Sequence, residues 1–131
     1  MTTDLDRLGA SRYLLLTTFR RDGTAVPTPV WVARDGDELV VFTAPNAGKV
    51  KRIRRDGAVR VGPCTMRGTA TGDDVPAHAR LLDKAGADRT LKLIARKYGV
   101  AGWITVFNSR LRRRGSGGPG AIAIEIGRAH V

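Results

Sequence analysis

Positive charge clusters in two places, Arg110 to Arg114 and the stretch Gly48 to Asp56, GKVKRIRRD. Five of the seven residues from Lys49 to Arg55 are basic, and Val50 and Ile53 stand among them three apart. That spacing predicts a short helix pinned by two apolar side chains, with its cations turned outward. The preceding ELVVFT (Glu38 to Thr43) reads as a strand, and a short loop leads into the helix at about Gly48. A helix start offers N–H groups without intrahelical partners and the positive end of the dipole. Lys49 adds a full charge there and Thr43 a hydroxyl, which together make a candidate phosphate site. A solvated face with two core anchors explains the same residues equally well at this point.

The second unusual stretch is VPTPVW, residues 26 to 31. Pro27 and Pro29 donate no backbone hydrogen bonds, so this strand belongs at a sheet edge or is irregular on one side. Backbone groups beside a broken ladder are available to a ligand. Trp31 suits either the core or the border of a flat ring, the core being the commoner place for a lone Trp.

Other constellations are weak. His78 and His130 are the only histidines, and no Ser-His-Asp set stands out. One useful histidine and one cysteine do not make a metal site. Cys64 reads as a buried structural thiol and Asp73-Asp74 as a solvated turn. The glycines of GSGGPG (115 to 120) lack the strand-before, helix-after setting of a nucleotide loop and read as a flexible loop. An enzyme with so few catalytic groups of its own needs a cofactor to carry the chemistry.

These residues need a scaffold. The 131 residues, 42% hydrophobic and 27% charged, suit one globular domain spanning 1–131. The longest apolar runs are too short to span a bilayer. With no signal-peptide pattern, a cytoplasmic location is expected. Lys and Arg number 23 against 12 Asp and Glu, a formal +11 that favours an anionic partner. Arg12 to Arg20 reads as a strand, RDG (21–23) as a hairpin turn, and TAVPTPVWVARDG as the returning strand. A turn at Asp35-Gly36 then leads into Glu38 to Thr43. Ala58 to Gly72 reads as strand broken near Gly62-Pro63, and Ala85 to Gly99 as an amphipathic helix. WITVFNSRLRRR fits a helix after a kink or a strand, and Ala121 to Arg128 alternates as a last strand. The fold class is mainly β: an antiparallel barrel with peripheral helices, small enough that a dimer is plausible.

The ordered pieces RDGTAVPTPVW, DGDELVVFT, GKVKRIRRD and RGTA (67–70) resemble the pyridoxamine-phosphate-oxidase-like split β-barrel proteins. Within these the chain is most similar to the deazaflavin oxidoreductases that use coenzyme F420. The match is good over residues 8–82 and loose beyond. The resemblance implies a six-stranded split barrel, FMN-binding-like, forming a homodimer with cofactors at the interface. It places the strand Pro27, Thr28, Pro29, Val30 and Trp31 along the cofactor ring. It puts Thr43 and Lys49 near the phosphate, and Lys51, Arg54 and Arg55 near the phosphate and anionic tail. Arg52 is left as plain surface. Coenzyme F420 carries a phosphodiester and a glutamate chain, which suits seven residues with five cations better than the single phosphate of FMN does. The implied reaction is hydride transfer between the deazaflavin and an electron-poor conjugated small molecule of the quinone, tetrapyrrole or unsaturated-lactone class.

The alternatives are an FMN- or haem-binding member of the same superfamily, a non-catalytic deazaflavin carrier and, more remotely, a basic nucleic-acid-binding barrel. The last has little for base stacking, with 5% aromatic residues, so no nucleic-acid partner is expected.

Overall fold

The computed structural model describes residues 3–43, 48–112 and 120–126, and the side chains of residues 100–112 are outside the description. The expected loops at 44–47 and 115–119, the basic side chains of 110–114, and His130 therefore lie outside the described residues.

The elements run α1 (Asp4–Gly9), β1 (Leu14–Phe19), β2 (Ala25–Val30), β3 (Val32–Asp35), β4 (Glu38–Thr43), α2 (Gly48–Arg55), β5 (Ala58–Pro63), β6 (Val75–Leu81), α3 (Lys84–Arg112) and β7 (Gly120–Ile126). All seven strands form one antiparallel sheet in the order β2-β1-β5-β6-β7-β4-β3. β2 and β3 end that order on opposite sides, yet only Trp31 separates them in the chain. The two edges must therefore come within a residue's reach of each other, which curls the sheet into a barrel split at Trp31. Seven strands replace the expected six because the second strand bends at this residue and changes partners.

Local chemistry accounts for the turns. Gly23 supplies the positive φ (88°) of a three-residue hairpin loop closed by Arg20 N–H to Thr24 O at 2.9 Å. Thr3 caps α1 through a capping box with Asp6. The stretch after β5 turns back on itself through the Cys64–Ala70 bridge and the Thr65 N–H to Thr69 O bond, so the expected long strand from 58 to 72 is shorter. The ambiguous segment after Gly99 is helix. Gly99 itself is non-helical (φ 65°, ψ −140°) and divides α3.

Two cores follow from strand alternation. Leu14, Leu16, Leu39, Val41, Val59, Val61, Ile122 and Ile124 point into the barrel, joined by Leu8 from α1 and Ile53 from α2. The intervening Ala33, Val40 and Ala123 face the other way and pack on Leu91 and Ile94 of α3. The small residues on that outer face let the helix approach the sheet closely.

Candidate functional site

Helix α2 follows the expected design. Val50 and Ile53 are buried while Lys51, Arg54 and Arg55 are exposed. Ile53 inserts into the barrel core and fixes the helix over its end. Beyond the helix, Gly57 leaves no room for a side chain, since a Cβ would stand 2.5 Å from Ala79 O, and its own carbonyl accepts from Ala79 N–H. The last turn of α2 is thereby tied to β6.

The structure changes the reading of Arg52. Its Nε donates to the hydroxyl of Thr18, a buried residue of β1, over 2.6 Å. Its guanidinium folds back over the helix start, where a Cβ on Gly48 would be 2.8 Å from Arg52 Nη1. Arg52 is thus half-buried structure, not plain surface. Arg55 donates to Phe19 O, at the end of β1. Lys49 is half-buried, and its pKa is lowered by burial first and by the neighbouring Arg52 second. A bound anion would oppose both effects by favouring the charged ammonium.

Arg20 and Arg21 of the β1–β2 hairpin join Lys51, Arg52 and Arg55 in lining one cleft. Among the described residues no acidic side chain lines it. Elsewhere five acids are taken up in ion pairs: Asp4 with Arg7, Asp6 with Arg34, Asp74 with Arg60, Glu38 with Arg80 and Asp35 with Arg89. Among the described residues none of the α2 cations has such a partner. Asp22, beside Arg20, bonds through its carboxylate to Thr24 N–H. Arg20, Arg21 and Arg52 were not singled out from the sequence. The only signal for the first two was their place beside RDG, a turn that brings them back toward β2.

Of the other expected residues, Arg54 is exposed and lies outside this cleft, as does Lys49. Thr43 is buried at the end of β4, where it pairs with Gly120 of β7. Cys64 is buried, and burial raises its pKa, as expected of a structural thiol. Asp74 is held by Arg60 through two bonds of 3.0 and 3.1 Å. The described residues contain no cluster of His, Cys, Asp and Glu suited to a metal ion. No described helix is long and apolar enough to cross a membrane.

The VPTPVW strand is an edge, as its prolines require. The Arg20–Thr24 bond and the register Leu14↔Val30 set the ladder parity. Val26, Thr28 and Val30 turn their backbone groups toward β1, and Ala25, Pro27 and Pro29 turn theirs outward. The outer edge presents three carbonyls in a row, and Ala25 alone carries an N–H. The 65–69 turn, part of RGTA, lies beside it: a Cβ on Gly68 would stand 3.5 Å from Pro29 Cδ. The cationic cleft is at the Ala25 end of this edge, because Phe19, bonded by Arg55, stands opposite Ala25. Trp31 is stacked on Tyr98, with ring centroids 4.4 Å apart and planes 7° from parallel. It packs with the α3 core, and Tyr98 covers one face of its indole.

No protein-family model matches the chain, and comparison with curated proteins gave no match. Solved structures do match in fold. An F420 reductase superposes with a TM-score of 0.63 at 17% identity, covering 97% of this chain and 96% of the other. HutZ, the haem storage protein from Vibrio cholerae, gives 0.67 at 8% identity, covering 98% and 93%. A candidate pyridoxamine 5′-phosphate oxidase from Listeria innocua gives 0.61 at 15% identity, covering 92% and 88%. The chain spans half the length of Atu2129 from Agrobacterium tumefaciens, a protein of unknown function (TM-score 0.64, 14% identity, 91% of this chain covered). The fold is that of the pyridoxamine-phosphate-oxidase-like split β-barrels. At these identities the likeness extends to the fold alone, and the proteins that share it include oxidoreductases and a storage protein.

Proposed function

We propose that this chain is a coenzyme F420-dependent oxidoreductase acting on an electron-poor conjugated small molecule. The observation that carries the reading is the cleft whose described lining is five cations and no acid, at one end of an exposed strand edge. It supports a ligand with a flat ring along Pro27 to Val30 and its anionic part toward Arg20, Arg21, Lys51, Arg52 and Arg55. Lys49, half-buried at the start of α2, supplies a cation for the phosphate. The Pro27 and Pro29 carbonyls accept hydrogen bonds from N–H groups of the ring edge. These residues fit the deazaflavin, whose tail carries a phosphodiester and several carboxylates.

When bound, the reduced deazaflavin supplies the hydride that the conjugated acceptor takes up. The chain's own residues bind, orient and exclude water, and holding two reactants in register is itself a large part of such catalysis. Thr43, expected near the phosphate, is buried, so its proposed part is to shape the strand end. Arg54 is assigned at most a diffuse attraction. The active species is taken to be a homodimer of single-domain chains, as the resemblance implies.

The test is fluorescence titration of the purified protein with coenzyme F420, with FMN and haem as competitors followed by absorption. Saturable F420 binding, weaker for FMN, is expected. Tight FMN or haem binding with no F420 affinity would replace this reading with the second one, which the likeness to HutZ favours. F420 binding without turnover on a quinone and tetrapyrrole panel would indicate a carrier.

A further inference from the structure

The β1–β2 ladder should not stop where it does. Leu14 stands opposite Val30, so one more step would set Arg12 opposite Val32. The ladder parity makes this a pair that exchanges N–H and C=O directly. Instead the Tyr98 hydroxyl lies between them. It accepts from Val32 N–H at 3.0 Å and donates to Arg12 O at 2.6 Å. The other group of that position, Val32 O, accepts from Lys97 Nζ at 2.7 Å. The same ammonium donates to Ser11 O at 2.7 Å and Gly9 O at 2.9 Å. An ammonium has three N–H donors, and here all three meet carbonyls.

We propose that Lys97 and Tyr98 are a positioning pair for the ligand-binding edge. They take the places of strand partners at Arg12 and Val32, hold the ladder open, and so set the angle at which Pro27 to Val30 stands away from the barrel. Val32 is fully buried, and the backbone polar groups of such a residue require partners. A side chain supplies them without propagating a strand, which a direct Arg12–Val32 pair would do. The two residues sit at the end of the first segment of α3, just before Gly99 breaks it, and are placed by Leu91 and Ile94 in the outer core. Trp31, the residue of the bend, lies flat on Tyr98, so hinge and wedge move together. The pair touches no ligand and acts through Val32 and Trp31. The ligand part of this inference rests on the F420 reading, while the held-open ladder does not.

The test uses Tyr98→Phe and Lys97→Ala in the full chain. Amide hydrogen exchange at Val32 is compared with Val41 and Ile122, which report opening of the sheet as a whole. F420 affinity is measured alongside. Exchange at Val32 should quicken at least tenfold more than at Val41 and Ile122, and F420 affinity should fall about tenfold. n-Propylammonium, which refills the carbonyl cage, should restore both in Lys97→Ala, while tetramethylammonium, which has no N–H, should not. Unchanged relative exchange at Val32 in Tyr98→Phe overturns the wedge. A loosened Val32 with wild-type F420 affinity overturns its positioning role. If a variant fails to fold, Lys97→Arg is read in its place by the same two measurements. If the wild type binds no F420, the cofactor reading fails and Val32 exchange alone decides the wedge.

Discussion

Lys49 and Arg54 lie five residues apart in one basic run, yet the fold gives them different work. Both stand outside the cleft, but Lys49 is half-buried at the helix start with a lowered pKa, whereas Arg54 is exposed. Lys49→Ala should therefore weaken F420 binding roughly 10- to 100-fold, the worth of one charge-assisted contact of about 1.5–3 kcal/mol. Arg54→Ala should change it less than about threefold. Equal small losses in the titration would reduce α2 to a diffuse field. Lys97 gives a pH test. Burial lowers its pKa from 10.5 to about 8 in the folded chain. Between these values the unfolded chain holds a proton that the native chain has released, so rising pH favours the native state. Tyr98, above whose ring the ammonium lies, has its pKa raised above 10 by burial, and opposes this only at higher pH. The midpoint difference between wild type and Lys97→Met in urea should thus shift toward wild type from pH 7 to pH 10. A flat difference would mean that Lys97 keeps its ordinary pKa.

At the scale of elements, the two seam edges are protected by different means. β3 has Val32 satisfied by Tyr98 and Lys97, while β2 has prolines at two outward positions. An edge whose only outward N–H is at Ala25 pairs poorly with a further strand, which keeps it open to a ligand and disfavours aggregation. Replacing both prolines, Pro27→Ala with Pro29→Ala, restores a regular edge. It should raise self-association at tens of micromolar, measured by sedimentation velocity, with a stability change within about 1 kcal/mol. Unaltered sedimentation would show that the prolines do not guard this edge. The edge was legible in the sequence because proline lacks an N–H wherever it sits. The side on which the free carbonyls face was not, since that needs the register with β1.

For the whole molecule, charge placement matters more than charge total. Of the 23 Lys and Arg, some are answered by acids brought from distant positions, such as Asp35 for Arg89 and Glu38 for Arg80, and the formal +11 is the excess that no acid answers. The cleft between α2 and the β1–β2 turn is left unanswered. Its attraction for an anionic tail is screened by salt, with a Debye length of about 10 Å at 0.1 M. F420 affinity should fall several-fold to about tenfold between 50 and 500 mM sodium chloride, and that of a tail-less deazaflavin should change much less. Equal salt sensitivity of the two would remove the tail from the cleft.

Strands β1, β4 and β7, α2 with its two anchors, the edge prolines and the stop at Gly99 were legible in the sequence, while the end of β5, strand β6 and the division of β2 from β3 were not. Each legible feature follows from local rules: alternation of period two, helical spacing, a missing donor, a permitted positive φ. The place of Arg20 and Arg21 beside α2, the inward turn of Arg52 to Thr18, and the insertion of Tyr98 between Arg12 and Val32 were decided only by the tertiary structure. These depend on which strands lie side by side. Residues 34 and 66 positions apart meet because the curled sheet brings them together, and no local pattern records that distance.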